Sequence, residues 1–527
     1  MKRIWSLVIT MLMLLPAVSV HGSSQVYGNE LTTIITNPAD RRPITNEYVA
    51  YWGECIGADV LTTSKIYDDF YASDTHYQVG DAKAIRQELL NLVRSSNNAH
   101  TTVVVNMASY LNGGLTATRY PTTYGFKETA LTELEQMIQM YNAPNYYINI
   151  NIPRAKPETR GFDWGQDKKV KGYEYFVQKA NVEKTFDQVL FQYTCVKTKM
   201  AYEKLTWDEQ VFMSYFEDMY IDNAPSEFCW NGQPYSVLYE NMFTEVEDMI
   251  MQLAQLTQRY PNVELVISVD DLSVPAAIKQ EYPNQEKYTY SYDLIQKIKA
   301  SGLLESRQIS LLYGYDDVPQ LTLARDYTKR TGNMTQYNIV YMNGEINKNY
   351  IGTYDSQSIE NILTQSISFI NAYGTTIEKE CQVYIHNSDN PSNLLTKQAA
   401  EMWVNRMKED AYAMVLDLKT NSVDTVLAEE IAKQGFPIQV YSGWNTIGNT
   451  ISLGLAQGQV CKCNHKCKLF TQHIYEDWIY NSFCKSIDST QLKETLQSYN
   501  LNLPYSIFEV YRPYNRNFEC TLILADK

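Results

Sequence analysis

Two pairs of adjacent aspartates follow apolar runs of this chain and could do acid–base chemistry. They are Asp270 with Asp271 and Asp316 with Asp317. Neighbouring carboxylates in one pocket repel each other, which raises the pKa of at least one of them and makes an acid and a base available together. Two such groups on either side of a glycosidic bond can hydrolyse it. We therefore predict these four residues as the catalytic groups of a hydrolase, with glycosides as the favoured substrates.

Other polar side chains at the ends of apolar runs are candidates for binding the substrate. The segment from Tyr441 to Asn449 places an indole and two amides directly after an apolar run, which is typical of the ligand edge of an α/β protein. Arginines can hold a substrate carboxylate or phosphate in a two-pronged grip, although pairing with a nearby aspartate is their more common role. The predicted substrate-binding residues are Asp40, Arg42, Arg119, Arg154, Arg325, Asp417, Asn421, Asp424, Trp444, Asn445 and Asn449.

The same acids also admit explanations without catalysis. Oxygen ligands from Asp270, Asp316 and Asp417 could hold calcium or magnesium, whereas an aspartate pair after a strand can simply cap the next helix or close a turn. His386 is the one histidine at a predicted strand end, and a structural role is the more common one for such a residue. The chain lacks a dinucleotide fingerprint and a Walker lysine, so no nucleotide cofactor is predicted. A divalent cation is the one cofactor that stays possible.

Nine cysteines follow the N-terminal segment. Cys461, Cys463, His465 and Cys467 have the residue types of a zinc site, but their spacing lacks the usual two-residue knuckle. Disulfides from this segment to Cys484 or Cys520 are the favoured alternative, because an exported protein can oxidise its thiols.

The first residues have the pattern of a secretory signal. Lys2 and Arg3 precede an apolar run from Ile4 to Val18, and the small Gly22 is a plausible last residue before cleavage. We therefore expect a secreted or extracytoplasmic protein, and no later segment is long and apolar enough to span a membrane. Loss of Lys2 and Arg3 with the signal makes the formal net charge of -15 more negative by two. A chain with this negative charge would repel nucleic acid. The expected partner is a small molecule or a glycan.

Strand-like and helical patterns alternate along the chain. Apolar stripes with helical spacing include Leu131, Leu134 and Ile138. Short β-branched runs predict strands at 32–36, 101–105, 146–152, 263–269, 309–313, 337–341, 382–385, 413–418 and 437–441. The alternation predicts an α/β fold with parallel sheets covered by helices, either two doubly wound lobes or a decorated β/α barrel.

Five segments are predicted within this fold. They are a signal peptide (1–22), an N-terminal α/β part (23–160), a mostly helical insertion or lid (161–260), a C-terminal α/β part (261–458) and a cysteine- and tyrosine-rich tail (459–527) that looks like a separate appendage.

From Asn37 to Gly458, the chain resembles the uncharacterised bacterial family designated domain of unknown function 4127. The similar motifs are Pro38 to Pro43, Gly113 to Arg119, Asp270-Asp271, Asp316-Asp317 with Ala324-Arg325, the set Asp417, Asn421 and Asp424, and Gly443 to Asn449. The resemblance implies a shared pocket but no substrate, because the family has no established activity. Departures at Asn106 or Ala108, Arg41 and Asp317 favour an alternative: a non-catalytic binding protein with a degenerate site.

Overall fold

The computed structural model describes residues 31–64, 80–115, 118, 128–153, 229–230, 233–270, 290–342, 344, 347–352, 354–461, 467–513 and 519–527. The strands are β1 (Thr33–Asn37), β2 (Asp59–Thr62), β3 (Thr101–Asn106), β4 (Asn145–Ile152), β5 (Cys229–Trp230), β6 (Gln233–Pro234), β7 (Val263–Val269), β8 (Ile309–Tyr313), β9 (Asn333–Tyr341), β10 (Thr376–Asn387), β11 (Ala413–Leu418), β12 (Val440–Ser442), β13 (Tyr505–Tyr511) and β14 (Thr521–Asp526). Each predicted strand overlaps an observed one.

The helices alternate with these strands as predicted. They are α1 (Glu47–Glu54), α2 (Ala82–Ser95), α3 (Met107–Asn112), α4 (Glu128–Met140), α5 (Tyr235–Arg259), α6 (Tyr290–Ala300), α7 (Val318–Thr331), α8 (Ile359–Ile370), α9 (Lys397–Met407), α10 (Thr425–Lys433), α11 (Ile447–Val460), α12 (Lys468–His473), which continues as a π-helix (Ile474–Cys484), and α13 (Ser489–Ser498). In the part of the chain that the structure describes, none of the helices is both long and apolar enough to cross a bilayer.

Two open parallel sheets form the framework. The first has the order β2-β1-β3-β4-β7-β8 and the second the order β12-β11-β10-β9. The first sheet reverses its order between β1 and β3, as doubly wound sheets do, whereas the second runs in chain order. The predicted α/β fold is therefore confirmed, and no closed barrel is found among the described residues.

Two apolar cores explain why the strands are unbroken apolar runs. The outer face of the first sheet, including Val103 and Ile267, packs against α2 to α6. Its inner face shares a larger core with the second sheet, which contributes residues such as Val383 and Val415. Helix α7 lies between the sheets, because it contacts β3 and β4 on one side and β9 on the other. Burial on both faces is the usual condition of parallel strands.

The segment boundaries differ from the predicted ones in two places. Strands β7 and β8 belong to the first sheet, so the sheets divide between Tyr313 and Asn333 rather than at residue 261. The tail is not a separate appendage, because Leu469 and Leu522 pack into the shared core. The signal peptide and residues 161–228 of the predicted insertion lie outside the described residues.

Candidate functional site

Two asparagines stand where the first sheet reverses its strand order. The side-chain amide of Asn37, at the end of β1, donates to the carbonyl of Asn106 and to the hydroxyl of Ser109, both at 2.8 Å. Asn106 ends β3 and caps α3 by accepting from the Ala108 amide at 3.1 Å. Connections that leave in opposite directions from such a reversal open a crevice at the carboxyl ends of the strands, where α/β proteins bind ligands.

Polar side chains replace apolar ones on the inner face of this sheet near its carboxyl ends. Asn149 and Asn151 share that face on β4, and Ser268 shares it on β7. The strand register sets Asn149 beside Asn106 and Asn151 beside Ser268. Asn149 is buried, and neither polar atom of its side chain has a hydrogen-bond partner within the described residues. A buried amide without a partner calls for water or a ligand.

Tyr315, between β8 and α7, lies near three of the predicted acids. Its hydroxyl donates to Asn106 Oδ1 at 3.1 Å. Burial raises the pKa of Tyr315, and three nearby negative charges raise it further, those of Asp40, Asp316 and Asp270. The phenol therefore stays a neutral hydrogen-bond donor. The structure thus brings three of the predicted residues together from the ends of β1, β7 and β8.

Arg42 is the cation of this acidic group. Its Nε lies 2.7 Å from Asp40 Oδ2 and 3.9 Å from Glu519 Oε1. Its two terminal nitrogens grip the carboxylate of Asp316, with Nη1 3.0 Å from Oδ2. Burial opposes ionisation, but the charges of these three acids raise the pKa of Arg42. Arg42 therefore pairs with aspartates, which is the alternative to binding a substrate, and its guanidinium orients Asp40 and Asp316.

Asp317 lies beside this group and, within the described residues, forms no ion pair of its own. A Cβ at Gly314 would lie 2.7 Å from Asp317 Oδ1, and the φ of 130° at that glycine also disfavours any other residue. Burial raises the pKa of Asp317 to about 7, and the charges of Asp316 and Asp355 act in the same direction. Asp317 precedes α7 but forms no side-chain capping bond in the described part of the chain, so the capping explanation does not apply to it.

A second acidic group lies at the carboxyl ends of β10 and β11. His386 Nε2 is 2.7 Å from Asp424 Oδ2, while Asp417 accepts from the Asp424 amide at 3.0 Å and from the Tyr441 hydroxyl at 3.1 Å. Burial raises the pKa of Asp417 to about 6. Burial also opposes ionisation of Asp424, but the hydrogen bond from His386 lowers its pKa. These residues bind one another and fix the loops that follow the two strands.

The segment after β12 is held by acids of the C-terminal π-helix. The Gly443 amide donates to Asp477 Oδ2 at 2.8 Å, and Trp444 Nε1 donates to Glu476 Oε1 at 3.3 Å. Glu476 also accepts from the Tyr48 hydroxyl at 2.8 Å. Burial and the charge of Asp477 raise the pKa of Glu476 to about 8. Trp444 is only 1% exposed, so its ring packs against protein.

The sequence profile described as "Protein of unknown function (DUF4127)" matches residues 239–520, more than half of the 527 residues. The chain belongs to the DUF4127 family. No curated protein and no solved structure matches it. The match takes in the ends of β7, β8, β11 and β12, and it extends to Glu476 and Asp477 in the tail.

Two asparagines of this DUF4127 chain shape the loops that follow β11 and β12. Asn421 and Asn445 have φ values of 58° and 57°, a left-handed conformation that asparagine tolerates. The backbone N–H of Asn421 donates to the backbone carbonyl of Asn445 at 2.7 Å. Asn449, in the first turn of α11, differs from them. It is buried, and both polar atoms of its side chain lack a partner within the described residues.

Arg325 lies at the opposite end of the first sheet. Its Nε is 2.7 Å from Glu264 Oε2, near the start of β7, and its terminal nitrogens donate to the carbonyls of Phe369 and Arg307 at 2.9 and 2.7 Å. Every nitrogen of the guanidinium is therefore engaged by protein. This placement contradicts the predicted substrate-binding role and agrees with the pairing alternative.

Three predicted residues, Asp271, Arg119 and Arg154, lie outside the described residues. The calcium alternative gains no support from the others. Among the residues that the structure describes, one group of three or more candidate metal donors lies within 4.8 Å, and it consists of cysteines. Asp270, Asp316 and Asp417 do not form such a group, so a divalent cation at these acids stays a prediction from the sequence.

The cysteine pairing differs from the predicted one. Cys55, Cys381, Cys461, Cys467, Cys484 and Cys520 are free thiols. The predicted disulfides to Cys484 or Cys520 are therefore wrong for Cys461 and Cys467, whereas Cys463 and His465 lie outside the described residues.

Proposed function

We propose that the protein is a hydrolase that acts on a polar, glycan-like substrate at the carboxyl ends of the six-stranded sheet. The observation that supports this proposal most is that Arg42 holds Asp40 and Asp316 together near Tyr315, whose pKa the charge of Asp270 also raises. The amide of Asn149 next to it has unused donors and acceptors that match sugar hydroxyls. The strand-order reversal between β1 and β3 supports the same location.

The acids differ in a way that suits acid–base hydrolysis. Asp316 is ion-paired with Arg42, whereas Asp317 has a pKa of about 7 and holds a proton near neutral pH. We assign Asp317 as the proton donor to the leaving oxygen, and Asp270 as the base or nucleophile. Asp271 stays a predicted catalytic residue on the basis of the sequence. Tyr315 would donate a hydrogen bond to the reacting substrate.

A non-catalytic binding protein is the second candidate. The observation in its favour is that Arg42 already neutralises Asp40 and Asp316. In addition, Asn106 stands where the resemblance implies an acid. In this case the side-chain amide of Asn149 would bind a glycan without turnover.

The proposal is tested with a panel of cell-wall and plant oligosaccharides, using calorimetry for binding and product analysis for turnover. We expect one class to be hydrolysed, and Asp270→Asn to reduce turnover by at least about 100-fold with an unchanged melting temperature, because general acid–base groups contribute that much. Asp59→Asn, a change at an exposed site, is the matched control. Binding without products would support the second candidate, and full activity of Asp270→Asn would reject the catalytic assignment.

The proposal places the protein outside the cytoplasm. It rests on Lys2, Arg3 and the apolar run from Ile4 to Val18. Cleavage after Gly22 is expected to give an exported chain that begins at Ser23, which N-terminal sequencing would detect. A cell-associated chain that retains Met1 would contradict it.

A further inference from the structure

Three cysteine sulfurs converge at a point away from the acidic groups. Cys55 Sγ lies 3.7 Å from Cys461 Sγ, which lies 3.4 Å from Cys467 Sγ, and all three atoms are within 4.8 Å of one another. Cys55 follows α1, Cys461 follows α11 and Cys467 precedes α12. The ends of three helices therefore present one thiol each to a common centre.

The separations distinguish a metal site from a disulfide. Zinc binds thiolate sulfur at about 2.3 Å in tetrahedral geometry, which sets neighbouring sulfurs about 3.8 Å apart. A disulfide instead joins its sulfurs at about 2.05 Å and leaves a third thiol without a partner. The observed separations are close to the first value, and all three sulfurs take part. We propose that Cys55, Cys461 and Cys467 together bind a thiophilic divalent cation of the zinc class.

The surroundings suit thiolate ligands. The Phe470 amide donates to Cys467 Sγ at 3.4 Å, and Gln457 Nε2 lies 3.9 Å from the same sulfur. Lys379 Nζ donates to the carbonyls of Gln459 and Cys461 at 3.2 Å each, which places a positive charge beside the cluster. Donors to the sulfurs and a nearby cation offset the negative charge of three thiolates around one divalent ion, as the outer partners of metal ligands do.

The ligand type selects the ion. Thiolates favour zinc and other soft cations, whereas calcium and magnesium take oxygen ligands. Three protein donors leave one tetrahedral position, which water can fill. The bound ion would tie the end of α1 to the end of α11 and the start of α12, at a place separate from the proposed hydrolysis.

The first test uses the full chain and needs no substitution. Protein purified under argon without chelator is expected to contain about one equivalent of zinc. Replacement by cobalt(II) should produce the intense sulfur-to-cobalt charge-transfer bands of thiolate coordination. Zinc-free protein that gives no such bands on addition of cobalt would overturn the proposal. So would mass spectrometry of the untreated chain that shows two of the three cysteines joined in a disulfide.

Matched variants assign the ligands. Cys467→Ser and Cys55→Ser are expected to lose the bound cobalt bands, whereas Cys381→Ser, which removes a buried thiol outside the cluster, should retain them. Chelation should lower the melting temperature of the parent chain and of Cys381→Ser. Retention of the full cobalt spectrum in both Cys467→Ser and Cys55→Ser would reject the proposed ligands, whatever the outcome for hydrolysis.

Discussion

Arg42→Gln is expected to lower the free energy of unfolding by about 3–5 kcal/mol, the usual cost of removing one partner of a buried ion pair. The change removes the guanidinium that contacts Asp40, Asp316 and Glu519, with Nε 2.7 Å from Asp40 Oδ2. The carboxylates would then stay buried without this compensating charge. Urea denaturation at neutral pH measures the difference.

Two neighbouring substitutions sharpen this experiment. Arg41→Gln removes the same charge at an exposed position one residue away, so a change within about 0.5 kcal/mol is expected. Arg42→Lys keeps the charge but loses the two-pronged grip on Asp316, and it should fall between the other two. Equal stability of Arg42→Gln and Arg41→Gln would show that the acids are not held by this guanidinium.

The second large effect is a loss of stability as the pH rises from about 5 to about 8. Burial raises the pKa of Asp417 to about 6, of Asp317 and Asp355 to about 7, and of Glu476 to about 8. A carboxyl whose pKa is higher in the folded state stabilises the fold below its unfolded value, and this contribution is lost as the pH rises through the folded value. A pKa that is higher by about two in the folded state, as for Asp417, corresponds to about 3 kcal/mol, and one that is higher by about three, as for the other groups, to about 4 kcal/mol.

Groups with a lowered pKa affect the stability in a different pH range. The Asp326 carboxyl is buried, but the charge of Arg330 lowers its pKa, so its contribution is lost only as the pH falls below the unfolded value of about 4. Maximum stability is therefore expected at mildly acidic pH. Urea midpoints measured between about pH 5 and about pH 8 check this. Asp355→Asn should reduce the difference, whereas the exposed Asp59→Asn should leave it unchanged. A flat profile in the parent chain would contradict the prediction.

Strand prediction succeeded where burial on both faces produces continuous apolar runs. β7, β8 and β11 have the predicted bounds. β2 was not predicted because it is a short edge strand whose side chains are half-buried or exposed. The hairpin of β13 and β14 was not predicted because its burial pattern is mixed. Local pattern therefore identifies the interior of the sheets better than their margins.

The site was predictable only to the extent that strand ends define it. Asp40, Asp270 and Asp316 follow strands of one parallel sheet, so topology brings them together. Arg325 does not belong with them, because it lies seven residues beyond the start of α7 at Val318, and a helix of that length has already run about 10 Å back along the sheet. The position of Arg325 well inside the helix could therefore have excluded it from the predicted site.

Contacts between distant segments left no local signal. Glu476 binds Trp444 from a helix in the tail, and Cys55 meets Cys461 across a separation of 406 residues. Neither the spacing of these residues nor their types predicts such contacts. A single sequence also cannot reveal whether an aspartate at a strand end is ion-paired, as Asp316 is, or buried with a raised pKa, as Asp317 is.

The contacts of the tail also constrain biosynthesis. Glu519 lies 3.9 Å from Arg42, and the Cys520 amide donates to Glu476 at 3.4 Å. A nascent polypeptide therefore cannot complete this region until residue 520 has left the ribosome, although β1 emerges early. During that delay Arg42 and Glu476 lack these contacts, so chaperone binding would protect the growing chain from aggregation.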